Sequence, residues 1–376
     1  MVTGHATASG TERYAARLAT RVSAEHFRPL DGELRASTLG IGTYLGNEDD
    51  ATDAAYRASI ARALERGMNV IDTAVNYRHQ RSERAVGQAL AAALERRAVS
   101  RDEVIVATKG GFIPLDAADP RDPRTYFTET YLRTGIVKPD DVVAGSHCMA
   151  PRYLDEQVER SLKNLGVDTI DVYYVHNPEM QLGEVERPEF NSRIREAFQA
   201  LEAHVAAGRI VRYGTATWNG YRLDPGDREY LSLAEMVRAA RDAGGPEHHF
   251  KVIQLPYNLA VTKTDDFTQA FTRANQIVNG EMVSTLEAAR RLGLYVMASV
   301  PVYQGQLTRN LPPVLAEFLP GLETDAQRAL QFVRSTPGIG TALVGMKTLA
   351  HVEENAAVGR EAPVPWEQFK RMFGDA

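Results

Sequence analysis

Eight short apolar runs, each followed by a longer stretch of helical periodicity, constrain this chain more than any other feature of its sequence. The candidate strands are 39–42, 68–71, 104–108, 170–175, 211–216, 252–255, 294–299 and 342–344. The clearest candidate helices are 53–66, 82–97, 154–165, 194–207, 233–243, 285–292 and 325–334. Alternation of this kind calls for parallel strands joined by helices that cover them. Eight such units in ~340 residues fit an α/β fold of the single (β/α)8 TIM-barrel type better than a doubly wound sheet, which usually has fewer strands. Ahead of them, 27–30 and 34–37 flank Asp31-Gly32 and read as a hairpin, placed to plug the bottom of the barrel. The expected plan is an N-terminal extension over 1–26 and one barrel over 27–376. Two long polar stretches break the spacing, an insertion at 111–150 rich in Asp, Pro and Arg, and a second at 258–282. Both follow strands, so they are expected on the C-terminal face, where long loops act as lids or binding loops.

Composition narrows the class of function. The formal net charge of −6 argues against a nucleic-acid surface. No apolar run approaches the ~18–20 residues of a membrane span. The first 27 residues hold Arg13, Arg17 and Arg21 but no apolar core, unlike a secretory leader. A cytoplasmic protein is the expectation. The single cysteine, Cys148, excludes an internal disulfide and a cysteine-built metal cage, and it reads as a small buried residue. No metal site is expected, since H-E-x-x-H is absent and His248-His249 reads as a loop pair. Gly40-x-Gly42 and Gly338-x-Gly340 do not continue as G-x-G-x-x-G, which removes a Rossmann reading.

Four residues at consecutive strand ends could carry chemistry. The second strand runs into Ile71-Asp72-Thr73-Ala74 with Tyr77 beyond it, the third into Thr108-Lys109-Gly110, and the fourth into Val175-His176. A lone Asp after a strand is ordinarily a helix cap, and a lone His a structural one. At the top of a barrel, however, these ends converge within a side chain's length. A tyrosine hydroxyl, with a reference pKa of ~10, exchanges protons poorly near neutrality. An ammonium ~4 Å away at an effective dielectric of ~20 stabilises the phenolate by ~4 kcal/mol, so Lys109 is expected to pull Tyr77 into the range useful for acid–base work. Asp72 would hold Lys109 charged, and His176 could donate to a carbonyl oxygen. Such a pocket polarises and protonates a C=O but supplies no hydride, so a cofactor must. A Schiff-base aldolase using Lys109 is the alternative, disfavoured because the paired ammonium resists deprotonation.

In order along the chain stand Gly40-Ile41-Gly42-Thr43-Tyr44, Ile71-Asp72-Thr73-Ala74 with Tyr77, Ser82-Glu83 with Gly87, Ala107-Thr108-Lys109-Gly110, Asp171 to His176, Gly214 to Trp218, and Glu354-Asn355. This series resembles the aldo-keto reductase superfamily from about residue 39 to 355. The resemblance implies a (β/α)8 barrel that interconverts carbonyls and alcohols with NADPH or NADH. It implies Tyr77 as proton donor, Lys109 and Asp72 as its tuners, and His176 as orienter of the carbonyl.

The same resemblance implies a set of cofactor neighbours. Gly42, Thr43 and Asp72 fall near the nicotinamide ribose, and Thr217 and Gln254 near the carboxamide. The family's Ser-Asn pair falls on Ala216-Thr217 here, and Ser299 stands where a tyrosine usually lies under the ring. Gly305 and Leu307 match the phosphate-proximal loop. Gly345, Lys347, Glu354 and Asn355 match the adenine end, where Lys347 favours NADP, with NAD as the alternative. Tyr44, His79, Trp218 and the 111–150 insertion are the expected substrate contacts. Their mixture of aromatic faces and polar groups suits a sugar or a bulky aromatic aldehyde, so the expected partner is a small carbonyl or sugar. Oxidation of a sugar and a non-catalytic, cofactor-sensing subunit stay open as alternatives.

Overall fold

The computed structural model describes residues 1–260 and 266–373. Among the described residues, twelve strands follow in chain order: β1 (Phe27–Leu30), β2 (Leu34–Ser37), β3 (Leu39–Gly42), β4 (Val70–Asp72), β5 (Ile105–Gly110), β6 (Ile170–His176), β7 (Ile210–Ala216), β8 (Phe250–Pro256), β9 (Ala274–Val278), β10 (Glu281–Ser284), β11 (Tyr295–Ser299) and β12 (Ile339–Gly345). Eight of them close a parallel barrel in the order β11-β12-β3-β4-β5-β6-β7-β8. The long helices α2 (Asp50–Glu65), α3 (Arg81–Glu95), α5 (Pro151–Leu165), α6 (Arg187–Ala206) and α7 (Leu233–Gly244) cover its outside.

Two-residue alternation along each strand decides which side chains enter the barrel. In β5, Ile105 and Ala107 belong to the inner cluster, and Lys109 continues that face. In β4 the inner residue Val70 is followed two places on by Asp72. In β6 the inner residues Val172 and Tyr174 lead to His176. Each of these polar residues is the last inward position of its strand. The pairing aligns them at one rim, with Gly42 beside Asp72, His176 beside Ala216, and Ala216 beside Gln254.

The hairpin β1–β2 sends Leu30, Leu34 and Ala36 into the same inner cluster, which seals the lower end. Helix α1 (Ala8–Leu18), within the expected extension, packs Tyr14 and Leu18 into the main core. The tie to the barrel is polar as well. The carboxylate of Asp171, buried in β6, accepts from Ala6 N at 2.6 Å, Val106 N at 2.8 Å and Arg101 Nη2 at 2.7 Å. Gly87 in α3 lets that helix approach α5, since a Cβ there would lie 2.5 Å from Leu165 O.

Both long polar stretches carry structure of their own. The insertion contains α4 (Pro123–Phe127) and a small core of Tyr126, Tyr131, Val137 and Cys148 with Tyr153 of α5. Burial pushes the Cys148 thiol up to about 12, so it is an inert packing group. In the second stretch, 261–265 lie outside the described residues, and the remainder is not simply a loop. It forms the β9–β10 hairpin around Asn279-Gly280, whose φ values of 53° and 82° match a left-handed two-residue turn.

Candidate active site

The rim residues form one hydrogen-bonded cluster. Lys109 is fully buried, and its Nζ donates to Asp72 Oδ2 at 2.7 Å and to Thr73 O at 2.8 Å. Gln254 Nε2 donates to the other carboxylate oxygen, Asp72 Oδ1, at 2.8 Å. Nζ also lies 4.8 Å from the ring centroid of Tyr77. Beyond it Tyr77 meets His176 edge-on at 6.0 Å and Tyr44 at 5.0 Å.

Burial opposes the charge on Lys109, but Asp72 and Tyr77 outweigh it and hold the ammonium above its ordinary value. For Tyr77 the net direction is opposite to the sequence expectation. Burial drives its hydroxyl up, Lys109 pulls it back only in part, and Asp72 adds to the rise. The phenol is therefore protonated at neutral pH, the state a proton donor needs. Burial, then Lys109 and His147, pushes His176 well below the ordinary histidine value, so its ring is a neutral donor.

These groups open into a cavity of about 1420 Å³. Its inner end is lined by Gly42, Thr43, Tyr44, Asp72, Tyr77, His176, Thr217, Trp218, Gln254 and Ser299. Gly305, Gly345, Lys347, Glu354 and Asn355 line its far end. Lys109 stands behind Asp72 and Tyr77, outside the lining. Leu307 is not among the lining residues, although Gln306 and Thr308 are. His79 also lies outside, with Nδ1 paired to Glu48 Oε2 at 2.9 Å. The cause is local: Arg78, His79 and Gln80 take φ values of 49°, 50° and 71°, and this left-handed turn directs His79 to the surface.

Of the insertion, only Phe112 lines the cavity. The remainder packs on the outside, as in the Arg84–Asp116 pair at 2.8 Å. The expectation of a lid over the mouth is not met, because the insertion's own apolar residues bury against one another and against α5. Four lining residues keep a buried polar atom without a partner among the described residues: Thr217 Oγ1, Asn76 Oδ1, Asn355 Oδ1 and His176 Nδ1. Sequence reasoning missed Asn76 and Glu179, and it named the insertion that holds Phe112 without singling that residue out. Buried Glu179 accepts through Oε1 from Trp218 N at 2.6 Å and Asn219 N at 3.1 Å, fixing the loop that carries Thr217 and Trp218. Its position three residues past His176 was the one available signal. Among the described residues, no group of three or more His, Cys, Asp or Glu could hold a metal ion, and no helix is long and apolar enough to cross a membrane.

The sequence model of the Aldo/keto reductase family matches residues 38–373. Norsolorinic acid reductase of Emericella nidulans is 31% identical over 192 residues, which cover 50% of this chain and 40% of that protein. A probable voltage-gated potassium channel subunit beta of Arabidopsis thaliana is 23% identical over 346 residues, 86% of this chain and 87% of the relative. The first of these curated relatives are matched over only 40% to 60% of their own length. Among solved structures, the aldo/keto reductase of Klebsiella pneumoniae in complex with NADP and acetate superposes with a TM-score of 0.60 at 21% identity, covering 93% of this chain and 96% of that one.

Proposed function

This chain belongs to the aldo/keto reductase family, and from that premise we propose that it reduces an aldehyde, ketone or sugar carbonyl to an alcohol with NADPH. One observation carries the reading. A protonated tyrosine, a buried lysine–aspartate pair and a neutral histidine meet at the inner end of one large cavity.

The cavity suits a dinucleotide. The unpartnered Thr217 Oγ1 is available to a carboxamide, while Gln254, with Nε2 committed to Asp72, can accept through Oε1. Ser299 bounds the nicotinamide end. Gly42 and Thr43 line the ribose side, and Thr43 Oγ1 donates to Asp72 O at 3.2 Å. Gly305 lines the cavity on the pyrophosphate side and Gly345 at the adenine end, whereas Leu307 lies outside the lining with its N–H bonded to Val302 O. Asn355 Oδ1 and Glu354 are acceptors for the adenine end. Exposed Lys347 is a cation for a 2′-phosphate and favours NADP over NAD. When bound, the reduced nicotinamide supplies the hydride.

The protein's own residues do the remainder. His176 donates its ring N–H to the carbonyl oxygen and draws electron density from carbon. Tyr77 gives its hydroxyl proton to that oxygen as the alcohol forms, and Lys109 stabilises the phenolate left behind. Asp72 keeps Lys109 charged and aimed. Tyr44 and Trp218, 56% and 41% exposed, offer aromatic faces to the substrate's apolar side.

The test is NADPH oxidation, followed optically, on a panel of aldehydes, ketones and aldoses. Turnover that falls by at least ~10²-fold in Tyr77→Phe, with NADPH affinity retained, supports the reading. Tight NADPH binding without turnover of any carbonyl would replace it with a non-catalytic, cofactor-sensing subunit; the Arabidopsis relative is named as a channel subunit.

A further inference from the structure

Strand β5 ends at Gly110, so the neighbouring edge of β6 loses its ladder partner one residue later, at His176. A second, fully buried histidine takes that place. His147, at the far end of the insertion, has Nε2 at 2.7 Å from His176 O. Its other nitrogen, Nδ1, lies 2.8 Å from Gln181 Nε2. The proton positions follow from the next link. Arg193 Nη1 lies 2.7 Å from Gln181 Oε1, and an arginine can only donate. Gln181 Nε2 is then the donor to His147 Nδ1, which leaves the proton on Nε2 and aims it at the His176 carbonyl.

The two ends of the insertion are knit together at this point. Phe112 and Val143 both form bridges with His147, and Cys148 N donates to Gly111 O at 2.8 Å. Phe112 meets the rings of His147 and His176 edge-on, at 5.5 Å and 4.9 Å. Gly111, at φ 146°, is the residue that permits this approach, since a Cβ there would stand 2.7 Å from His176 O and 3.0 Å from His147 Nε2. The same insertion holds the left-handed turn after Tyr77. Leu115 O accepts from Gln80 Nε2 at 3.0 Å, and His79 O accepts from Ala117 N at 3.1 Å.

We propose that the 111–150 insertion is a buttress that sets the geometry of Tyr77 against His176, and that His147 is its positioning residue. The proposal rests on the reading of His176 as the group that orients the carbonyl. It also predicts a ring placement that is measurable without turnover. A displacement of ~1 Å at a reacting group can cost ~10²-fold in rate.

Three variants test it. His147→Phe keeps a ring but donates nothing, and kcat on the best carbonyl should fall by about 10- to 100-fold, with NADPH affinity within about twofold. His147→Gln places an amide Nε2 near the lost donor and should recover most of that loss. Gly111→Ala should reproduce the His147→Phe defect and stands in for it if that variant does not fold. Arg124→Ala, at an exposed position of the insertion, is the control without effect. In parallel, ¹⁵N-histidine spectra should show the His176 ring resonances displaced in His147→Phe and restored in His147→Gln. Those spectra decide the matter even if the wild type turns over no carbonyl, an outcome that would sink the functional reading alone. Unchanged kcat and His176 resonances in His147→Phe, or equal losses in the Gln and Phe variants, overturn the proposal.

Discussion

Replacing Lys109 by Met removes the positive charge beside Tyr77 while keeping a side chain of similar length. At the 4.8 Å between Nζ and the tyrosine ring, the attraction for a phenolate is about 3.5 kcal/mol at an effective dielectric near 20. If the transition state feels between half and all of it, kcat falls by about 20- to 400-fold. The single variant has a second consequence, because it strands the Asp72 carboxylate, whose side chain is only 7% exposed, without its cation. Removing one partner of a buried pair costs about 3–5 kcal/mol of stability. Lys109→Met with Asp72→Asn leaves no stranded charge, so the double variant should regain stability without regaining rate. The assay is single-turnover reduction at saturating NADPH, run also in the Tyr77→Phe background. Both changes act on one proton transfer, so Lys109→Met should cost little once the hydroxyl is gone. A loss in that background as large as in the wild type would refute the coupling, because Lys109 would then act on something other than Tyr77.

Lys347→Ala should weaken NADPH binding by about tenfold or more, as the loss of a charge-assisted phosphate contact implies, and leave NADH nearly unchanged in fluorescence titration. Equal losses for both nucleotides would remove Lys347 from the 2′-phosphate. The protein should also lose stability in mild acid. Burial lowers His26 and His147 to about 4, so between pH 6.5 and 4 the unfolded chain binds protons that the folded state refuses. Folding stability should be flat in this respect above pH 6.5 and fall by about 1.4 kcal/mol per pH unit for each of the two histidines below it, about 3 kcal/mol each by pH 4. Urea unfolding at pH 7, 5.5 and 4.5 measures this, and a flat profile contradicts the assignment.

The sequence by itself determined the barrel and the identity of its rim. Strand periodicity is local, so Val70 to Asp72, Ile105 to Lys109 and Val172 to His176 can be followed two residues at a time to the last inward position. The hairpin at Asp31-Gly32 was legible for the same reason, since a two-residue turn selects its residues. Asn279-Gly280 carried an equally plain signal, hidden only by the polarity of the residues around it. His79 illustrates the limit of local reasoning. Its distance from Tyr77 along the chain suits the cavity, but three left-handed residues in succession turn it away. The direction in which the Tyr77 hydroxyl moves belonged to tertiary structure alone, because its burial comes from every element that surrounds the ring, whereas Lys109 is a single attraction. So did the link from Gln254 to Asp72, 182 positions apart. The insertion shows the division most clearly. Its composition of Asp, Pro and Arg described a solvated loop, yet Tyr126, Tyr131 and Val137 gather into a core only once α5 supplies Tyr153 against which to bury them. That packing, which no stretch of the insertion specifies alone, brings His147 to the backbone of His176.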